Sequence, residues 1–302
     1  MKIGIDLGGS HISIGVVDNN GKIIEKAEKR ITKTEKKNIK KYIEDYIFEN
    51  YNNFVKKYKI SNIGIAIPGT VYNGVVVKSV NLGLKEYNLV KKLKEKIDIP
   101  IIIKNDTKCA AIAENEYGAL KEYNRGLFIA LGTGIGGAVI INNNLLDTGD
   151  FPGCEFGHMI IEKNGIQCNC GKKGCFEKYA SMKSFKDNLR KVLDLDEKTS
   201  GKELLNIIRK STRGTTNYAK INQVIKEYIN NLSIGISNLI NIFEPEAIVL
   251  GGSFAYYEEV FMEKLKKSLL ENNLLFNERK DLVINTAILN NDAGVIGATL
   301  IK

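Results

Sequence analysis

The chain has 302 residues, 43% hydrophobic and 26% charged, with 44 Lys+Arg against 35 Asp+Glu for a formal net charge of +9. That length supports two ordinary domains with substantial cores, and the composition leaves no room for a long disordered region. The lysines lie in dispersed amphipathic segments such as 33–59 and 85–96, which speaks for solvated helix faces and against a nucleic-acid surface. No apolar run reaches the ~18 residues of a membrane helix. The strand-like opening MKIGIDL predicts no targeting peptide, so a cytoplasmic protein is expected.

In chain order, Lys2–Leu7, Ile12–Asp18 and Lys22–Glu28 read as a three-stranded meander. Its first turn is Gly8–Gly9–Ser10. Glycines there let backbone N–H groups approach an anion closely, and Ser10 adds a hydroxyl, although a tight hairpin uses the same residues. His11 reads as an incidental turn residue. Helical spacing of apolar residues predicts one helix over 35–59. Asn62–Ile67 reads as a buried strand stopped by Pro68–Gly69, and Thr70–Val71 lead into a hairpin through Asn73–Gly74. A strand over Ile99–Lys104 ends in Asn105–Asp106, and a helix follows from Thr107 to Tyr117. Asp106 thus stands where open α/β folds bind ligands, a place that an N-cap aspartate also occupies. Cys109 reads as a small buried apolar residue. Strands over Gly126–Leu131 and Gly136–Ile141 then repeat the opening pattern, with IALGTGIGGAVI aligning with GIDLGGSHISIGVV. An internal duplication follows, and Gly132–Thr133–Gly134 is its second glycine turn.

Residues 155–177 read EFGHMIIEKNGIQCNCGKKGCFE. His158, Cys168, Cys170 and Cys175 make a Cys₃His set, a normal complement for a tetrahedral structural Zn²⁺. Asn169 and the stretch Gly171–Lys172–Lys173–Gly174 supply tight turns between the cysteines. Three neighbouring reduced thiols are the plain alternative. Glu155 and Glu177 bracket the loop; with one imidazole nitrogen on the metal, the other can donate to a hydroxyl, so the platform suits a polyhydroxylated ligand. Two solvated glutamates would look the same in sequence. Helices are then expected over Met182–Leu193, Gly201–Lys210 and Asn217–Phe243, the last with a stripe of Leu232, Ile236, Leu239, Ile240 and Phe243 for a core or a dimer interface. Strand Ala247–Leu250 runs into Gly251–Gly252–Ser253 and a helix over Tyr256–Leu270. Strand Leu282–Ile284 and helix Ala293–Ile301 close the chain.

GCEFGH followed by CNCGKKGCFE resembles the ROK family of sugar kinases and sugar-responsive repressors. The resemblance implies an α/β fold of two actin-like (ribonuclease H-like) ATPase domains around a central cleft, with the zinc loop on the second. It places the first domain at 1–117 plus 290–302 and the second at 118–289. It implies that His158, Cys168, Cys170 and Cys175 bind zinc, and that Glu155, His158 and Glu177 contact sugar. It also implies a sugar-binding Asn105 and Asp106 as catalytic base, with Gly69 and Thr70 as further sugar contacts. Gly8, Gly9 and Ser10 would face nucleotide phosphates, with Asp6 holding Mg²⁺ through water. Gly132, Thr133 and Gly134 would form the second phosphate turn, and Gly251, Gly252 and Ser253 the adenosine side. The loop Asn81–Leu82–Gly83 resembles one that lines the family's sugar pocket, with Leu84 where tryptophan is frequent. The function implied is an ATP-dependent hexose kinase, glucokinase-like at the C6 hydroxyl, in a homodimer without nucleic-acid or membrane partners. Fructose, mannose or an N-acetylhexosamine are alternative substrates. A sugar-responsive transcriptional regulator is the rival reading, disfavoured because the DLGGS strand begins at Met1 and leaves no room for a preceding helix-turn-helix.

Overall fold

Isoleucine-rich runs build the first sheet of the computed structural model, which describes residues 1–146, 153–271, 274–277 and 281–301. β1 (Lys2–Leu7), β2 (His11–Val17) and β3 (Ile23–Arg30) form the antiparallel meander. α1 (Lys33–Lys36) and α2 (Ile39–Val55) follow in place of one continuous helix. The break falls at Asn38, whose φ of −132° and ψ of 47° lie outside the helical region. Asparagine tolerates this because its short amide competes for backbone hydrogen bonds and weakens a helix interior. A Thr32–Glu35 capping box starts α1.

β4 (Ile63–Ile67) is buried at every position, as a parallel strand covered on both faces must be. β5 (Thr70–Tyr72), β6 (Val75–Ser79) and β7 (Leu84–Tyr87) make a small antiparallel sheet. β7 is too short for periodicity to mark, with Leu84 and Tyr87 buried and Lys85 and Glu86 exposed between them. α3 (Leu89–Lys94), β8 (Ile101–Asn105) and α4 (Asp106–Tyr117) come next. The first large sheet has the order β3-β2-β1-β4-β8, and β1, β4 and β8 are parallel.

The second large sheet repeats that plan. β9 (Arg125–Leu131), β10 (Ile135–Ile141) and β11 (Asn144–Leu145) precede α5 (Glu177–Ala180), α6 (Met182–Val192), α7 (Gly201–Lys210) and α8 (Thr216–Phe243). β12 (Ala247–Gly252), α9 (Glu258–Glu271), β13 (Val283–Thr286) and α10 (Ala293–Ala298) complete the chain. The order is β11-β10-β9-β12-β13, with β9, β12 and β13 parallel. On α8, Leu232, Ile236, Leu239 and Ile240 are buried within the chain itself, so they belong to the core and offer nothing to a partner subunit. Among the described residues, no helix is long and apolar enough to cross a membrane.

The chain divides into two compact units. One comprises Met1–Asn124, Ala138–Cys154 and Ile288–Lys302, and the other Arg125–Gly137 and Glu155–Ala287. The sequence reading placed 138–154 in the second. In the structure Asn115 Nδ2 of α4 donates to the Asn143 carbonyl at 3.1 Å, which ties that hairpin to the first unit.

At two glycines of the first sheet, α10 lies backbone against backbone. A Cβ on Gly4 of β1 would overlap the Val295 carbonyl, and one on Gly64 of β4 would overlap the Ala298 carbonyl. A Cβ on Gly297 would overlap the Cys109 carbonyl of α4. Helix propensity alone favours alanine over glycine inside a helix by about 1 kcal/mol. Overpacking costs about 1–3 kcal/mol, and here the obstacle is backbone, which yields least. We therefore expect Gly297→Ala to lower the urea-unfolding free energy by about 1–2 kcal/mol; an unchanged or higher value would show that the helix has room to shift.

Candidate active site

Asp6 to Ser10, Gly69, Asn105 and Asp106 sit at the carboxyl ends of the parallel strands β1, β4 and β8, where open α/β sheets bind ligands. β1 ends in Asp6 and the Gly8–Gly9–Ser10 turn, closed by Gly8 N donating to the His11 carbonyl at 2.8 Å. A Cβ on Gly9 would stand 3.0 Å from Cβ of Asn81, so the 81–83 loop adjoins this turn. Ser10 Oγ lies 2.9 Å from Nδ1 of His11, and His11 proves to be the first residue of β2. β4 ends at Pro68–Gly69. Gly69 has φ +104°, and a Cβ there would overlap the Lys78 carbonyl, so only glycine fits. Thr70 opens β5 opposite Lys78.

β8 ends in Asn105 and Asp106, and here the two roles that sequence left open separate. Asn105 is the N-cap of α4: its Oδ1 accepts from Lys108 N at 3.2 Å, while Nδ2 donates to the Gly69 carbonyl at 3.1 Å. Asp106 is the first helical residue, and its Oδ1 accepts from Thr107 N at 2.7 Å. With Asn105 in the capping position, Asp106 is not the N-cap of the helix. The Asp6 carboxyl is raised from its ordinary 3.8 to about 7, first by burial and then by the Asp106 carboxylate, with Lys26 pulling the other way. A Cβ on Gly294 would collide with the Asp6 carboxyl group, so this glycine of α10 makes the space in which Asp6 stands. Nothing in the stretch AGVIGA marks Gly294 as part of a site, because its partner lies far away in sequence.

In the second unit two glycine turns lie side by side. Parallel pairing sets Gly252 opposite Leu131, and a Cβ on Gly252, at φ +69°, would stand 2.6 Å from the Leu131 carbonyl. Gly132–Thr133–Gly134 follows directly, closed by Gly132 N donating to the Gly134 carbonyl at 3.0 Å. Lys183 N of α6 donates to the Gly132 carbonyl at 3.0 Å. Lys186, which sequence patterning does not single out, reaches Ser253 Oγ at 3.3 Å.

The ligand atoms of His158, Cys168, Cys170 and Cys175 all lie within 4.8 Å of one another. Cys168 Sγ is 3.8 Å from His158 Nδ1, and Cys170 Sγ is 3.5 Å from Cys175 Sγ. Zinc–ligand bonds of about 2.0–2.3 Å in a tetrahedron put ligand atoms about 3.5–3.8 Å apart, so the set fits that ion. All five cysteines are free thiols, which sets disulfides aside. Turns at Gly171 (φ +92°) and Gly174 (φ +78°) and the Cys168 N to Lys172 carbonyl bond of 2.8 Å fold the loop. Without metal, burial pushes the Cys175 thiol up to about 12 and raises Cys168, while the Lys172 backbone holds Cys170 down. Binding an ion there displaces those protons.

Glu155 is exposed just before the 3₁₀ turn Phe156–His158. Glu177 opens α5 and links two features. Its Oε1 lies 3.4 Å from Cys168 Sγ, and its Oε2 is 2.5 Å from where a Cβ of Gly134 would stand. The glycine turn and the cysteine cluster are thereby joined through one carboxylate.

The model of the ROK family matches residues 2–302. The xylose repressor of Bacillus spizizenii is 30% identical over 274 residues, covering 88% of this chain and 68% of that protein. The glucokinase of Thermotoga maritima is 28% identical over 316 residues, covering 99% and 96%. Among solved structures, that of a ROK family glucokinase from Streptomyces griseus in complex with glucose and AMPPNP is similar with a TM-score of 0.82. It shares 25% identity and covers 99% of this chain and 97% of that one.

Asp6 has a measurable consequence. Because its folded-state pKa is raised, its share of stability is fully present below about pH 4 and is lost as pH rises through about 7. In metal-free buffer, the stability of wild type relative to Asp6→Asn should fall across that window in urea titrations. A difference that stays flat from pH 4 to 7 would show the carboxyl to be unshifted.

Proposed function

We propose that this chain, which belongs to the ROK family, is an ATP-dependent hexose kinase of the glucokinase type. The observation that carries the proposal is the pairing of Asp106 with Asp6 beside the first glycine turn, with Asn105 and not Asp106 capping α4. A structural cap needs no second carboxylate whose charge it opposes. A phosphotransferase needs two: one to take a proton from the acceptor hydroxyl and one to face a cation. In this reading Asp106 is the general base for the C6 hydroxyl, and Asn105 spends one amide hydrogen on Gly69 and keeps the other for the sugar. Asp6 would hold Mg²⁺ through water, and that ion would supply charge neutralisation at the donor phosphates. Backbone N–H groups at Gly8–Ser10, Gly132–Gly134 and Gly251–Ser253 would receive the nucleotide. Gly69, Thr70, Glu155, His158 and Glu177 would contact the hexose.

Zinc would be held by Nδ1 of His158 and the three thiolates, leaving Nε2 of His158 to donate to a hydroxyl. Glucose is the first substrate to test because the Thermotoga and Streptomyces relatives are glucokinases. Similarity to a xylose repressor keeps a sugar-responsive regulator as the second reading.

ADP release across a panel of hexoses, N-acetylhexosamines and xylose separates these. A kinase turns over at least one hexose, whereas a regulator binds sugar without releasing ADP. For the kinase, Asp106→Asn should lower kcat by about 10²–10⁴-fold while the hexose Kd from calorimetry moves by only a few-fold. A variant that turns over nearly as fast as wild type would remove Asp106 from the mechanism.

The metal is tested separately. Purified protein should carry one zinc per chain, and Cys170→Ala should lose most of it together with hexose affinity, since Glu177 rests on Cys168. Full hexose affinity in a zinc-free preparation would contradict this.

A further inference from the structure

Lys186 stands on α6 as a half-buried cation. Its Nζ lies 5.7 Å from the centroid of the Tyr257 ring and donates to Ser253 Oγ at 3.3 Å. No carboxylate among the described residues pairs with it. Asp187, the next residue, is taken by Lys183 and by Arg190 Nη1, the latter at 2.8 Å. Burial lowers the Lys186 pKa and repulsion by Arg190 adds to it, with Asp187 offsetting them only in part. A half-buried ammonium whose nearest carboxylate is bonded to other cations works against folding, so the fold alone gives no reason for it.

Its position supplies one. Lys183 and Lys186 are three residues apart on α6 and so share a face. The first donates its backbone N–H to Gly132 of one glycine turn, and the second donates its side chain to Ser253 of the next. One helix thereby touches both turns, which Gly252 and Leu131 hold side by side. At the second turn it offers a positive charge that the protein leaves unpaired.

We propose that Lys186 binds a phosphate of the nucleoside triphosphate donor, with Ser253 and Tyr257 holding its ammonium in place. This rests on the kinase reading, with Gly132–Gly134, which α6 also touches, facing the phosphates and Gly251–Ser253 on the adenosine side. An ammonium–phosphate pair is a charge-assisted contact, strongest where water is partly excluded. Adenosine, which has no phosphate, gains nothing from it.

Lys186→Met keeps an unbranched apolar stem against Tyr257 and removes the ammonium, with its charge and its bond to Ser253. Calorimetry of ADP, ATP and adenosine binding to the full chain, with thermal unfolding of the ligand-free protein, tests the role. We expect ADP and ATP to bind at least about tenfold more weakly. Adenosine should stay within about twofold, and the ligand-free Tm should hold or rise, because a costly charge has gone. Lys186→Arg should restore most of the ADP affinity. In turnover, KM for ATP should rise while KM for the hexose does not. Unchanged ADP affinity, an equal loss for adenosine, or a lowered ligand-free Tm would each overturn the proposal, the last by showing a structural brace. If wild type binds no nucleotide at all, the kinase reading itself fails; if it binds nucleotide and Lys186→Met binds equally well, only the role of Lys186 falls.

Discussion

The close approach of α10 to the first sheet is the constraint on which that unit depends. Gly4 and Gly64 bring the backbone of the sheet directly onto that of α10, and Gly297 brings α10 onto the backbone of α4, so at these points the helix occupies space that side chains would otherwise fill. Interiors are packed to near-crystal density, and contacts between backbones have no rotamers through which to relax. Gly294 belongs to the same row, and the room it leaves is where the Asp6 carboxyl stands. Packing and electrostatics meet there: the helix that completes the core also buries the acid and raises its pKa.

Most of the stability comes from elsewhere. Strands β1, β2 and β4 bury Ile3, Ile5, Leu7, Ile12, Ile14, Ile63, Ile65 and Ile67 fully. At about 1.5–3 kcal/mol for each side chain, this outweighs the exposed ion pairs, which contribute at most about 1 kcal/mol apiece. Lys183–Asp187 and Lys92–Glu95 are pairs of that exposed kind. Charges that the core does not explain therefore stand out. Asp6 raised against Asp106, and Lys186 without a paired carboxylate among the described residues, are the two clearest, and each lies beside a glycine turn.

Much of this was legible in the sequence because it is local. Alternating isoleucines gave away β1, β2 and β4, and the repeated strand–glycine turn–strand pattern became two sheets with the same strand order. The spacing of His158, Cys168, Cys170 and Cys175 identified a cluster that the fold closes. What was hidden depends on partners distant in the chain. The stretch AGVIGA gives no sign that Gly294 faces Asp6, and Gly134 looks like a turn glycine, not a seat for Glu177. Which of Asn105 and Asp106 caps α4 turns on one residue at a helix boundary, where patterns resolve least. The helix expected over 35–59 was broken by Asn38, a local backbone choice that the apolar spacing does not carry.

The place of α10 in the chain bears on biosynthesis. During translation the strands of the first sheet emerge early, yet the surface around Gly4 and Gly64 stays uncovered until residues 293–298 leave the ribosome. Domains generally fold as units as they are made, amino-terminal first, but this one must wait for α10. In the interval a bare isoleucine-rich sheet is open to chaperones and to misassembly. Emergence of α10, rather than completion of the first half of the chain, then sets when Asp6 acquires its surroundings.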